Sequence, residues 1–249
     1  MNSVEILGAR VNPITKTELI DEITRSVTEK KPSHFMLAMN PIKVIVAQRN
    51  PVFRQYLNTA TCLFPDAIGI VLALKLLKGI NIKRIPGFEL MFDILEIANR
   101  HSLKVTLIGA TTPSLVIAEQ KLKATYPNVH FVGNRHGYFA NADEREQAIN
   151  DVIANNPDIL FVGMGAIKQE ALIVDIRRKK AIPFCMTVGG SFDVISHHSP
   201  RAPQWLCAIG FEWLYRLIRQ PFRWRAMLPI PVFALQVIQT YLKNIWATK

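Results

Sequence analysis

The chain has 249 residues, of which 49% are apolar and 20% charged, with a formal net charge of +11. That composition can bury a sizeable core and excludes a disordered chain, and the length suits one large α/β domain with at most a small appendage. The positive charge points to a polyanionic neighbour: nucleic acid, an anionic membrane or a phosphorylated substrate.

In chain order, apolar runs of strand length alternate with segments of helical period. HFMLAMN (34–40) reads as a strand, and Pro41 to Arg49 as a helix capped by Asn40. CLF (62–64) is a short strand, followed by the PDAIG turn and an apolar helix over 68–77. KVTLIGA (104–110) is a buried strand, with a helix over 112–125 and a strand at NVHFVG (128–133) after it. ADEREQAINDVIAN (142–155) is an amphipathic helix capped by Asn141. DILFVGMG (158–165), a basic helix over 167–180 and PFCMTVGG (183–190) complete the alternation. Such a series predicts a Rossmann-like α/β fold: a parallel sheet with helices on both faces, joined by right-handed crossovers.

The composition changes after residue 195. Arg201, Arg216, Arg219, Arg223, Arg225, Lys243 and Lys249 stand against a single acid, Glu212, and all four tryptophans lie here. The expected division is therefore a core over 1–195 and a basic, Trp-rich helical appendage over 196–249 that associates with a membrane. Trp213, Leu214, Leu217 and Ile218 define one predicted helical face, flanked by Arg216 and Arg219. Aromatic rings with arginines are what a helix at a lipid interface needs, while a core-packed helix with surface arginines is the alternative. No nucleic-acid-binding motif accompanies the charge, so no nucleic-acid partner is expected. The N-terminus carries no basic segment followed by an apolar core, and no run reaches the roughly 18 apolar residues of a membrane span. Cys62, Cys185 and Cys207 form no CxxC pair, which fits a reducing compartment and argues against zinc. The expected location is cytoplasmic, peripheral at the inner face of the membrane.

Several constellations are candidates for chemistry. Asn40 and Asp66 each follow an apolar strand, so each belongs at the carboxyl end of a parallel strand, where open α/β sheets bind ligands. Asp66 can serve there as a general base toward a hydroxyl, or as the cap of the following helix. LIGATTPS (107–114), with Gly109, offers small residues ahead of a helix N-terminus, a phosphate cradle or an ordinary turn. In VGMGAIKQE (162–170), Gly163 and Gly165 let a ligand approach the backbone. Lys168, Gln169 and Glu170 then open a helix; a lysine there opposes the helix dipole, which suggests either contact with phosphate or sugar or a plain solvated first turn. His197 and His198 are adjacent and make no metal site with the available carboxylates. No two aspartates are separated by one residue, so the pair that holds a divalent ion against a nucleotide diphosphate is missing and a metal-independent reaction is expected.

Together these stretches resemble the WecG/TagA/CpsF family, glycosyltransferase family 26. The resemblance is carried, in order, by NPIKVIVAQRNPVFRQYLNTATCLFPDAIGIV, KRIPGFEL, the VTLIGA strand, YPNVHFVGNRHGYF, PDILFVGMGAIKQE, VGGSFDVISHHSPRAPQWL and GFEWLYRLIRQPFR. It implies an inverting, metal-independent transferase that requires no cofactor. The implied donor is a UDP-sugar of the N-acetylmannosamine type. The implied acceptor is a sugar linked to undecaprenyl pyrophosphate, in the synthesis of teichoic acid or another surface polysaccharide. By the same resemblance Asp66 is the general base, Asn40, Arg84 and Gln169 are active-site residues, and Arg216 and Arg223 belong to the membrane-binding appendage. The family often has Thr, Asp and Pro where this chain has Ala38, Glu89 and Ile167; these changes bear on the identity of the sugar more than on the reaction. Three functions are weighed: the transferase; a non-catalytic membrane partner that stimulates another glycosyltransferase; and an oxidoreductase, disfavoured because no GxGxxG fingerprint is present. A homo-oligomer is left open.

Overall fold

A computed structural model describes residues 2–29, 34–200, 202–208, 210–219, 221 and 224–247. A six-stranded, wholly parallel sheet has the order β4-β3-β8-β7-β5-β6. Its strands are β3 (His34–Met39), β4 (Cys62–Pro65), β5 (Lys104–Gly109), β6 (His130–Arg135), β7 (Ile159–Gly163) and β8 (Phe184–Thr187). Buried strands such as ILFVG and FCMT are apolar on both faces because helices cover both. One face packs against α2 (Pro41–Arg49), α3 (Pro51–Asn58), α4 (Ile68–Lys78), α7 (Ala142–Asn155) and α8 (Lys168–Lys179). The other packs against α1 (Lys16–Thr28), α5 (Gly87–Arg100), α6 (Thr112–Thr125) and α9 (Ser191–Ile195). The Rossmann-like α/β expectation is met.

Local chemistry explains the helix starts. Asn40, Asn50, Thr111 and Asn141 each accept a backbone N–H from the first turn of the following helix, and proline stands at the start of α2, α3 and α6. An antiparallel hairpin, β1 (Val4–Ile6) and β2 (Ala9–Val11), precedes the sheet. Asn12 fastens it there, accepting from Leu63 N at 2.8 Å and donating its own N–H to the Leu63 carbonyl at 2.8 Å. This hairpin and helices α1, α3 and α5 add to the elements expected from the sequence.

The segment after residue 195 carries α10 (Gln204–Ala208), α11 (Glu212–Arg219), α12 (Trp224–Met227) and α13 (Pro229–Ala247). α13 lies against α2 and α4 and buries Phe233 and Val237 in the core of that face. Gly210 seats this segment on the sheet end. Its φ is +82°, and a Cβ there would meet Ile68 Cγ2 at 2.6 Å, so only glycine fits. On the predicted apolar face of α11, Trp213, Leu214 and Leu217 are half-buried, Trp213 lines a cleft at the sheet end, and Ile218 is 70% exposed. Because Phe233 is only 3% exposed, Phe233→Ala is expected to lower unfolding free energy by about 3 kcal/mol, read from denaturant midpoints.

Candidate active site

The carboxyl ends of β4, β3 and β8 open into a cleft of about 380 Å³. β3 and β4 run in register, with Met39 opposite Pro65, so the residues that follow, Asn40 and Asp66, are brought side by side. Asp66 does not cap the helix that follows it. α4 is capped at Ala67 without a side-chain bond, and Asp66 Oδ1 instead accepts from Gly87 N at 2.8 Å, at the start of α5. Burial raises the Asp66 pKa above the usual carboxylate range, and Glu212 on α11 adds to the rise; the Gly87 N–H, Lys43 and Arg84 act in the opposite direction. A carboxylate so placed is a stronger base than one in water.

Asn40 lines the cleft while its Oδ1 accepts from Lys43 N at 3.0 Å, so it shapes the start of α2 as well. Arg84 lines the cleft and donates to the Cys207 carbonyl, joining the loop before α5 to the C-terminal segment. Gln169 is buried on the floor; its Oε1 accepts from Gly189 N at 3.2 Å and its Nε2 donates to Glu170 Oε1 at 3.0 Å. Glu170 is fully buried and lies beneath the lining. Its carboxylate also accepts from Lys43 Nζ at 2.9 Å and from Ile167 N at 2.7 Å. The last bond steadies a β-branched residue at φ +74°.

The other expected contacts lie elsewhere along the same sheet edge. Gly109 and Gly163 meet between β5 and β7, where a Cβ on Gly109 would come within 2.1 Å of the Gly163 carbonyl oxygen. Gly165 and Lys168 are exposed at the turn into α8. The helix α11 contains Arg216, but its side chain, and Arg223 altogether, lie outside the described residues. Of the three departures from the family pattern, Ala38 and Glu89 line the cleft and Ile167 does not.

Among the lining residues that sequence reasoning passed over are Lys43, Thr187 and Glu212. Each carried a signal. Lys43 interrupts an otherwise apolar helix start, Thr187 ends an apolar strand, and Glu212 is the lone acid of a basic segment. Among the described residues no group of three His, Cys, Asp or Glu side chains could hold a metal ion. Burial pushes the thiols of Cys62 and Cys185 up to about 12, so both stay protonated.

A buried carboxylate at the carboxyl edge of a parallel sheet, in a cleft closed by the C-terminal segment, fits a Rossmann-like group-transfer enzyme. Over residues 4–246 the chain matches the model of the glycosyl transferase WecG/TagA/CpsF family. It is 30% identical over 223 residues to the N-acetylglucosaminyldiphosphoundecaprenol N-acetyl-beta-D-mannosaminyltransferase of Bacillus subtilis (strain 168), covering 90% of this chain and 86% of that protein. To the protein of the same name from Staphylococcus aureus (strain MW2) it is 31% identical over 241 residues, 96% of this chain and 94% of that one. The chain belongs to the WecG/TagA/CpsF family and is a glycosyltransferase.

The buried Lys43–Glu170 pair can be tested apart from activity. Lys43→Met leaves the Glu170 carboxylate buried without its cation and is expected to cost about 3–5 kcal/mol of stability. Adding Glu170→Gln to that variant is expected to recover part of the loss in a double-mutant cycle.

Proposed function

We propose that the protein moves an N-acetylmannosamine-type sugar from a UDP donor to an N-acetylglucosamine carried on undecaprenyl diphosphate, with inversion and without a metal ion. The observation that carries this is the Asp66 carboxylate, raised in pKa and set in the cleft of a chain whose relatives bear that activity in their names. Gly87 N–H holds Oδ1 and leaves Oδ2 to take the proton of the acceptor hydroxyl. As that proton leaves, the hydroxyl oxygen bonds to the anomeric carbon from the face opposite UDP. The bond from the anomeric carbon to the diphosphate oxygen breaks, and UDP departs with the electron pair. The cations near the cleft, Lys43 and Arg84, favour the ionised form of Asp66 that this step requires. Gly109 and Gly163 are packed against protein, so it is the exposed Gly165 and Lys168 at the start of α8 that offer backbone and charge to the nucleotide diphosphate. Arg216 and Arg223 are assigned to the acceptor pyrophosphate, which guanidinium groups pair through two hydrogen bonds.

The acceptor is lipid-linked, so the protein must work at a membrane surface. No helix of the described residues is long and apolar enough to cross one. α13 instead exposes Leu235, Ile238, Leu242, Ile245 and Trp246 on one arc, roughly opposite the buried Phe233 and Val237. The neighbouring α4 exposes Leu72 and Leu76, and Lys75, Lys78 and Lys243 on these two helices are exposed as well. Apolar side chains with flanking lysines suit peripheral binding to an anionic leaflet, at about 1 kcal/mol per cation near the surface.

Transfer kinetics, thermal melting and vesicle binding test this reading. Transfer of labelled N-acetylmannosamine from its UDP donor to a lipid-diphosphate N-acetylglucosamine acceptor is expected in the presence of EDTA. Asp66→Asn is expected to lose about 10²–10⁴-fold of it. In wild type, kcat/KM is expected to fall with decreasing pH along a limb set above the ordinary aspartate range, and Asp66→Asn to lack that limb. The linkage has a definite sign. A carboxyl whose folded pKa is raised stabilises the fold below its unfolded pKa, and that contribution is lost as pH rises through the folded pKa. Asp66→Asn at neutral pH is therefore expected to melt no lower than wild type. For the membrane, Ile238→Glu with Leu242→Glu is expected to reduce co-sedimentation with anionic vesicles about tenfold while leaving the Tm unchanged.

A further inference from the structure

Four buried side-chain atoms among the described residues have no partner, Arg10 Nε, His34 Nδ1, Thr106 Oγ1 and Thr187 Oγ1, since Asp93 Oδ2 is met by Lys16 Nζ at 2.7 Å. Of these residues only Thr187 lines the cleft, at the carboxyl end of β8, where it is 4% exposed. A buried hydroxyl without a partner destabilises the fold, and one that faces a cleft is explained when a ligand supplies the partner.

Its place in the sheet says which part of a ligand it meets. Side chains alternate along β8. Cys185 belongs to the core of the α2 and α8 face and Met186 to the other, so Thr187 returns to the α2 and α8 face. Asp66 is held from the opposite face, by the first residue of α5. β4 and β8 flank β3, and since Met36 pairs with both Met186 and Cys62, Thr187 stands level with Leu63, three residues short of Asp66 and about 14 Å from it across and down the cleft. The charged groups on the Thr187 face, Lys43 and Glu170, are paired with each other at 2.9 Å, so the contact offered there is neutral. A threonine hydroxyl both donates and accepts, which suits a hydroxyl or the amide of an acetamido group.

We propose that the Thr187 hydroxyl is a specificity contact for the transferred sugar, binding a neutral polar substituent from the side of the sheet edge opposite Asp66. The proposal rests on the donor reading above. Thr187→Val keeps the shape and removes the hydroxyl; Thr187→Ser keeps the hydroxyl. With UDP-N-acetylmannosamine as donor, Thr187→Val is expected to lose about ten- to a hundredfold in kcat/KM, and Thr187→Ser to stay within about threefold of wild type. Because the hydroxyl has no partner in the fold, ligand-free Thr187→Val is expected to melt at or above the wild-type temperature. Retention of kcat/KM in Thr187→Val overturns the proposal, and so does a lower Tm of the ligand-free variant, since the hydroxyl then serves the fold. If wild type itself does not use UDP-N-acetylmannosamine, the donor reading fails, and thermal shifts with UDP-glucose, UDP-N-acetylglucosamine and UDP-N-acetylmannosamine decide the proposal separately. A stabilisation lost in Thr187→Val and kept in Thr187→Ser upholds it; equal shifts in both overturn it.

Discussion

The carboxylate of Glu170 is wholly removed from solvent and is held by three donors: Lys43 Nζ, Gln169 Nε2 and Ile167 N. A carboxylate buried alone would cost several kcal/mol, and one partner seldom repays that. Here the donors come from two separate elements, so compensating one charge ties the first turn of α2 to the start of α8. Asn40 caps α2, and α8 carries Gln169, whose side-chain oxygen accepts the Gly189 N–H. The mouth of β3, the start of α8 and the turn after β8 are thereby held relative to one another. The walls of the cleft follow from that arrangement.

The fourth side of the cleft is the C-terminal segment, and it does more than cover. Arg84 donates to the Cys207 carbonyl, Gly210 lies against Ile68, and Phe233 and Val237 complete the core beneath α2 and α4. The same segment brings Glu212 near enough to Asp66 to raise its pKa beyond the effect of burial. Closure of the site and the strength of its base are therefore coupled. α13 turns one side to the core and the other, with Leu235, Ile238 and Leu242, to the surroundings. One helix thus connects the surface proposed to meet the membrane with the core that supports the cleft.

Selectivity in such a site depends on small differences in neutral contacts. Ala38 presents only a methyl group to the cleft, and the polar atom left without a partner is on β8, at Thr187. A hydrogen-bonding group moved from one strand end to another would meet a different edge of the same sugar ring.

Much of this was legible in the chain itself. Alternating apolar runs and capped helices located all six strands of the parallel sheet, because strand burial and helix caps depend on residues close in sequence. The pairing of apolar strand with Asn40, and of apolar strand with Asp66, placed both residues at the ligand-binding edge before any packing was considered. The β1–β2 hairpin and helices α1, α3 and α5 were less visible. The hairpin strands are three residues each, and their anchor, Asn12, finds its partner Leu63 about fifty positions away. Only the tertiary structure decided the rest: that Asp66 accepts from Gly87 instead of capping α4, that Glu170 works beneath the cleft, and that Thr187 is left without a partner. It also showed that the basic C-terminal segment packs on the core. The physical reason is common to these cases. Caps and periodicity are set within a few residues of backbone, whereas the state of a buried polar group is set by whichever distant atom the fold brings beside it.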